Sequence, residues 1–332
     1  VLAAAAAIGI AEPFARKPGT LRLATYNLEN LFDDKDDPKY SGKDEDIDDA
    51  KPVEQLEALA AAIRKIDADV LAVEEVESEA TLRWFRDTYL ADMGYTHVVS
   101  IDSGDDRGIE QGVLSRFPLE NAKVWPDLPL GGLHPEKFGD EPNYFAGQPI
   151  TYRRSPLRVD VVAPAAGPET LAAAGTYRVT LFVVHHKSGR GGAYWREAEA
   201  KKAVELIAEA EAATPGDDNV IVLGDFNALT RDDSVKVYLD KGFVPAERLA
   251  RASDEVKARK WKEAAWTTHA SGRSIDMILL NPAAAKEFVP TSMFVLGTPQ
   301  RPRGSDWRTT PAPPGYGSDH QPVVIDLVPR DN

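Results

Sequence analysis

Short β-branched runs alternate with helix-patterned segments along nearly the whole chain, and this alternation restricts the fold more than any other feature. Extended runs are read at Leu21–Asn27, Val70–Val73, Tyr95–Ile101, Gln111–Leu114, Leu157–Val162, Tyr177–Val184, Val220–Leu223, Ile275–Leu280 and Val323–Leu327, bounded by Gly, Pro or Asp. Helical patterns cover Val53–Ile66, Ala80–Asp92 and Ala193–Ala213; in the last, Trp195, Ala203, Leu206, Ile207 and Ala210 fall near one face. Strands and helices interleaved from end to end predict one α/β domain over residues 21–330. A length of 332 residues is within the reach of a single large sandwich.

Residues 1–20 stand apart. The opening Val1 to Ala15 is Ala-rich and weakly apolar, so it reads either as the tail of a signal peptide, implying a secreted or periplasmic protein, or as an N-terminal helix. The chain has no cysteine, which removes disulfides and thiolate metal sites from consideration. No apolar stretch reaches the roughly 20 residues of a membrane span, so no stable membrane insertion is expected, and the protein is expected to be a monomer. A net charge of -14 means that the surface as a whole repels polyanions. Any attraction for phosphate must therefore be local to a cleft.

Three segments read as loops: Asp33–Asp49, densely acidic; Pro126–Gly147, rich in Gly and Pro; and Gly297–Gly317, which carries Arg301, Arg303, Trp307 and Arg308. The acidic loop lacks the spaced ligands of a calcium hand, so a solvated loop is its simpler reading. The Arg/Trp loop runs directly into Ser318-Asp319-His320 and is expected to overhang whatever site those residues form.

Chemistry-bearing residues gather where strands end. Asn27 and Asn30 close the first run, Glu74, Glu75 and Glu77 follow Val70–Val73, and His185-His186-Lys187 follow Val184. Asp225-Phe226-Asn227 follow Gly224, Asp276 stands in Ser274-Ile275-Asp276-Met277, and Asp319-His320 precede the last run. Functional groups in α/β sheets collect at such positions. Singly, each is read as a cap or turn residue; together they make a set of hard oxygen ligands with two histidines. Glu75, Asp319 and Asn27 suit magnesium, manganese or calcium rather than zinc. A histidine working as acid or base needs a carboxylate to orient its ring, and Asp276 is the partner expected for His320. Phosphoester hydrolysis needs these parts: an in-line water, a base, and neutralisation of the phosphoryl oxygens.

The ordered series Thr-Tyr-Asn27, Glu74-Glu75-Val-Glu, His185-His186-Lys-Ser, Leu-Gly-Asp225-Phe-Asn227-Ala, Ile-Asp276-Met-Ile and Ser-Asp319-His320-Gln-Pro-Val resembles the endonuclease/exonuclease/phosphatase superfamily. The likeness runs from about Leu21 to Leu327. It implies a four-layer α/β sandwich, two mixed β-sheets with helices packed outside, and hydrolysis of phosphoesters. It further implies that Glu75 is the principal metal ligand, with Asn27 and Asp319 close by. Asp225 would orient the attacking water, Asn227 would hydrogen-bond a phosphoryl oxygen, and His320 with Asp276 would be the base. His185 matches the second histidine of the family, placed to stabilise the transition state or protonate the leaving group. In the pancreatic-type deoxyribonuclease branch a glutamate pairs with that histidine, for which Glu110 is the best match. An arginine before a proline contacts phosphate there, which fits Arg154-Ser155-Pro156, with Arg153 and Arg158 as alternatives.

Two departures qualify the likeness. Glu74 stands where Gln is common, and would either recruit a second cation or face away from the site. His186 replaces an apolar residue and, by strand alternation, points to the opposite sheet face from His185. The second histidine and the arginines Arg153, Arg154, Arg190, Arg301, Arg303 and Arg308 favour nucleic acid as the partner. Inositol 5-phosphatases carry a Cys-Asp-Arg strand that is absent here. A sphingomyelinase-like enzyme should display an exposed apolar hairpin, and no loop in the sequence is an obvious one. A non-catalytic protein on this fold would be expected to lack one of Glu75, Asp225 or His320, and all are present.

Overall fold

The computed structural model describes residues 16, 18–35, 50–165, 175–213, 219–306 and 308–330. The Ala-rich opening, most of the acidic loop and Trp307 lie outside them. Strands in chain order are β1 (Leu21–Leu31), β2 (Val70–Val76), β3 (His97–Ser100), β4 (Glu110–Ser115) and β5 (Leu119–Lys123). Four short strands follow: β6 (Pro129–Leu133), β7 (Lys137–Phe138), β8 (Glu141–Pro142) and β9 (Pro149–Thr151). Then come β10 (Leu157–Pro164), β11 (Thr176–His185), β12 (Val220–Asp225), β13 (Val244–Pro245), β14 (Asp276–Leu280), β15 (Phe294–Val295) and β16 (Val323–Leu327). One six-stranded sheet has the order β15-β16-β1-β2-β4-β3, the other β13-β14-β12-β11-β10-β5. Both are mixed: β1 pairs parallel to β2 but antiparallel to β16, and β11 parallel to β12 but antiparallel to β10.

Strand alternation builds the layers. Leu21 and Leu23 of β1, Val70 and Ala72 of β2, Tyr177, Val179, Leu181 and Val183 of β11, and Ile221 and Leu223 of β12 share the core between the sheets. Their neighbours Ala24, Tyr26, Leu71 and Val73 turn outward under helices α1 (Val53–Ile66) and α2 (Glu79–Tyr89). On the other sheet, Phe182, Val184, Val220 and Val222 pack under α3 (Ala193–Ala213) and α4 (Asp233–Leu239). The result is helix, sheet, sheet, helix, with three apolar seams, the four-layer sandwich expected. The α1 face presents Leu56, Leu59, Ile63 and Ile66, all buried; a side chain of that kind fully buried contributes about 1.5–3 kcal/mol. Ser78 starts α2 by accepting the Thr81 N–H, a cap worth about 1 kcal/mol.

Pro126–Gly147, read as a loop, instead folds as an arm of short strands (β6 to β9): Gly139 supplies the positive-φ turn between β7 and β8, and Gly131 and Gly132, also at positive φ, form an irregularity within β6. This arm exposes Leu133 and Tyr144, the latter 89% accessible. The two are set apart, Leu133 at the end of β6 and Tyr144 beyond β8, on either side of the charged hairpin Lys137–Phe138/Glu141–Pro142.

Candidate active site

Three strand ends of the second sheet stand side by side. His185 of β11 is the register partner of Asp225 of β12, and Asp225 is the register partner of Asp276 of β14. Paired residues point to one face, so the odd-numbered positions that fill the inter-sheet core also deliver His185 and Asp225 to its open end. His186, one residue on, turns to the helix side, where Nδ1 lies 3.2 Å from Glu199 of α3 and Nε2 3.0 Å from the Tyr238 hydroxyl of α4.

The first sheet reaches the same end by breaking its alternation. Along β2, even positions face the inter-sheet core and odd positions face the helices, which would aim Glu74 at the site and Glu75 away. A register shift between Glu74 and Val76 and a positive φ of 60° at Glu75 turn Glu75 to the site as well. Beyond the bulge Val76 rejoins the helix-side cluster with Leu71 and Val73. Glu75 Oε2 accepts the Asn30 N–H at 3.1 Å and its Oε1 lies 3.5 Å from His185 Nε2, across the seam. Glu29 and Asn30 of β1 also hold positive φ, at the matching irregularity. Left-handed backbone in non-glycine residues is costly and gathers at functional sites.

Glu74 lies beneath the site, fully buried, taking the Thr25 hydroxyl at 2.8 Å. Burial, with the Asp276 charge behind it, raises its carboxyl well above the usual range. Gly224 makes room for it, since a Cβ there would stand 2.9 Å from Glu74 Oε1.

A chain of contacts links the assembled groups. Asp225 Oδ2 is 3.7 Å from His185 Nε2 and 3.9 Å from His320 Nε2, and the latter is 3.7 Å from Asp319 Oδ1. His320 Nδ1 meets both Asp276 oxygens, at 2.9 and 3.0 Å. Burial alone would depress the His320 imidazole, but the carboxylates of Asp276, Asp225 and Asp319 together outweigh it and raise it well above the usual histidine range. Asp225 is pushed up to about 7, mainly by burial, against the pull of His320.

Asn227, in left-handed backbone (φ 49°), gives its N–H to Asp225 Oδ1 at 2.7 Å. Its amide donates to Asp225 Oδ2 at 2.9 Å and to the His186 carbonyl at 3.1 Å. Both amide hydrogens are therefore engaged, and a phosphoryl oxygen would have to displace one of them. Asn27 is fully buried; its Oδ1 takes the Glu29 N–H at 2.9 Å and its Nδ2 has no hydrogen-bond partner among the described residues.

Arg154 enters from below β10. Its Nε donates to Asp105 Oδ2 at 2.5 Å and its Nη1 lies 2.9 Å from His185 Nε2. The alternatives are occupied elsewhere: Arg153 pairs with Asp106, and Arg158 with Asp160 on the second sheet. Glu110 does not take the expected place beside His185. It accepts the Ser100 hydroxyl at 2.8 Å, while His185 Nδ1 has no hydrogen-bond partner among the described residues. Glu110 is instead the register partner of Val76, beyond the bulge in β2.

Several site residues escaped the sequence reading. Lys51 donates to the Glu29 carbonyl at 2.7 Å, and burial lowers it to about 8 against the opposing pull of Glu29, Glu75 and Asp319. Glu29 Oε2 accepts from the Tyr316 hydroxyl at 2.6 Å and from the Asp319 N–H at 3.1 Å. His269 Nε2 lies 3.2 Å from Asp319 Oδ2. Burial would raise Asp319; His269 and then His320 override this and bring it to about 2. Lys51, Tyr316 and His269 lie in no strand-end motif, whereas Glu29 stands at the end of β1 between Asn27 and Asn30. The one visible signal was position: Lys51 closes the acidic segment and His269 precedes the Asp276 strand. As expected, the Arg-rich loop overhangs: Arg301 lies over the Tyr316 ring (4.2 Å) and helps line a cleft of about 470 Å³ with Glu29, His269 and Asp319.

Glu75, Asp319 and Asn27 offer only oxygen donors, the set a hard divalent cation takes. Each carboxylate keeps one oxygen, Glu75 Oε1 and Asp319 Oδ1, that faces a ring nitrogen at 3.5 or 3.7 Å, beyond ordinary hydrogen-bond length. Those oxygens fit a cation. Two tighter groups of ligand-type side chains, His269/Asp319/His320 and Asp225/Asp276/His320, also stand here. In the second, His320 Nδ1 is already spent on Asp276.

Comparison with known proteins agrees with the geometry. A family model described as "Endonuclease/Exonuclease/phosphatase family" matches residues 24–320. No curated protein matches the sequence. The human Nocturnin catalytic domain with bound sulfate superposes with a TM-score of 0.54 at 14% identity, covering 93% of this chain and 94% of that one. Truncated TDP2 from Caenorhabditis elegans gives 0.55 at 15% identity, covering 93% and 97%. An endonuclease/exonuclease/phosphatase from Beutenbergia cavernae gives 0.54 at 20% identity, covering 93% and 71%. At these identities the likeness is one of fold.

Proposed function

Because this chain belongs to the endonuclease/exonuclease/phosphatase family and is on that ground a phosphoester hydrolase, we propose that it is a divalent-metal-dependent nuclease or related phosphodiesterase. The observation that carries the reading is the row His185, Asp225, Asp276, closed from the other sheet by His320 and Glu75. Glu75, Asp319 and Asn27 would hold the cation, magnesium or manganese before calcium, which supplies charge neutralisation at the phosphoryl oxygens. Asp225, fixed by two hydrogen bonds from Asn227, orients the attacking water. The water proton passes to the Asp225–His320–Asp276 unit, whose carboxylates share the resulting charge. Arg154, buried and oriented by Asp105, lies beside His185 where a non-bridging oxygen or the leaving group would arrive.

Nucleic acid is the preferred substrate because arginines stand beside the site of an otherwise acidic protein: Arg154 against His185, Arg301 lining the cleft, and Arg303 and Arg308 further along the same loop. One observation favours a second reading, a lipid phosphodiesterase: the arm that exposes Leu133 and Tyr144. Cleavage of plasmid, linear DNA, RNA and a lipid head-group diester, each with and without chelator, separates the two. Chelator-sensitive cleavage of polynucleotide is expected; turnover of the lipid ester alone would discard the nuclease reading.

A further inference from the structure

His269 lies outside every motif of the family resemblance, yet two of its contacts meet the site. Ser271 gives its backbone N–H to His269 Nδ1 at 3.0 Å, and the Ser271 hydroxyl lies 2.7 Å from the same nitrogen. With Nδ1 accepting, the ring hydrogen sits on Nε2, which faces Asp319 Oδ2 at 3.2 Å. The ring also meets His320 edge to face, with centroids 4.6 Å apart. Its backbone is tied to the same loop: His269 bridges His320, Ala270 donates to the Asp319 carbonyl at 2.8 Å, and Gln321 to the Thr268 carbonyl at 2.7 Å. The two residues of the Asp319-His320 pair are thus held by one imidazole and its backbone.

We infer that His269 is a positioning residue for the cation site. It donates through Nε2 to one oxygen of Asp319, so that the other oxygen, Oδ1, is turned toward the cation and His320. The Ser271 N–H makes it a donor to the ligand rather than a ligand itself, since Nε2 cannot both carry the hydrogen and bind a metal. Partners that orient a liganding carboxylate in this way typically contribute about 10–100-fold to metal affinity or activity. The inference rests on the reading that Asp319 helps to hold a divalent cation.

Manganese titration followed by electron paramagnetic resonance tests it on the whole protein, with His269→Phe, His269→Gln and Glu75→Gln beside wild type. Phe keeps a ring against His320 without a donor; Gln restores an N–H. Manganese affinity about 10–100-fold weaker in the Phe variant, at a melting temperature near that of wild type and with partial recovery in Gln, supports the inference. Unchanged affinity in the Phe variant, while Glu75→Gln binds weakly, overturns it and leaves the metal reading standing. Absence of manganese binding in wild type overturns both. A directly coordinated imidazole nitrogen seen in the wild-type spectrum and lost in the Phe variant makes His269 a ligand and also overturns it. Should the Phe variant melt early, nitrogen NMR of wild type decides: hydrogen on Nε2 supports the assignment, and hydrogen on Nδ1 overturns it.

Discussion

Arg154 Nη1 and His185 Nε2 stand 2.9 Å apart, and because a guanidinium can only donate, the imidazole must accept. His185 is therefore neutral and carries its hydrogen on Nδ1. Burial, first, and the Arg154 charge, second, hold it well below the usual histidine range. Nitrogen NMR at neutral pH should find the Nδ1–H tautomer, and an imidazolium there would contradict the geometry. Arg154→Ala should raise the His185 pKa. It should also leave buried Asp105 unpaired, a change that typically costs about 3–5 kcal/mol and would appear as a lower melting temperature.

The His320–Asp276 pair carries the second expectation. Loss of a general acid–base group lowers rate by about 10²–10⁴-fold, so His320→Ala should fall in kcat far more than in KM, and Asp276→Asn by less. His186→Ala should keep kcat near wild type and instead lose stability, because Glu199 and Tyr238 lose their shared partner. A kcat defect at His186 as deep as at His185 would reverse the assignment of the two.

Chelator should abolish turnover, and magnesium or manganese should restore it. Glu75→Gln keeps the left-handed bulge and the side-chain size but removes the charge. It should weaken metal affinity and rate together; full activity in this variant would exclude Glu75 as the principal ligand.

Asp225 supplies a pH dependence. Its folded pKa, about 7, lies above the usual carboxylate value of ~3.9, so between those values the folded protein binds a proton that the unfolded chain releases. The stability contributed is complete below about pH 4 and is lost as pH rises through about 7. In chelator, the urea midpoint of wild type should therefore fall relative to that of Asp225→Asn between about pH 5 and about pH 8. A constant difference across that range would count against a raised Asp225.

Arg303 and Arg308 are exposed on the overhanging loop, whereas Arg301 is half-buried over Tyr316 and donates to the Thr310 carbonyl. Reversing Arg303 and Arg308 to Glu should raise KM for polynucleotide and leave hydrolysis of a small aryl phosphodiester nearly unchanged. Activity at limiting substrate should decline only gently with salt, corresponding to about two or three phosphate contacts. Equal cleavage of DNA and RNA by the double variant and wild type would remove the loop from substrate binding.

Alternation within strands is a local property, and it made much of the molecule legible. Residues one apart point to opposite faces whatever surrounds them, so the sequence alone separated His185 from His186 and set Asp225 at the end of its strand. The same periodicity marked α1 and α3 at their observed bounds, Val53–Ile66 and Ala193–Ala213.

Tertiary structure decided what alternation cannot reach. By parity Glu74 belongs in the site and Glu75 outside it; the bulge that turns Glu75 to the same side arises from how β2 pairs with β1 and β4, across chain separations that no local pattern spans. Glu110 holds the Ser100 hydroxyl of the neighbouring strand in place of its expected partner. Lys51, Asp105 and His269 come from loops, where no periodicity marks direction, and each acquires its place by one long-range contact: a Glu29 carbonyl, an Arg154 guanidinium, an Asp319 carboxylate. Sequence specified which chemical groups the strand ends carry. Packing of the two sheets specified which of those groups meet, because burial and hydrogen-bond geometry are properties of neighbours in space.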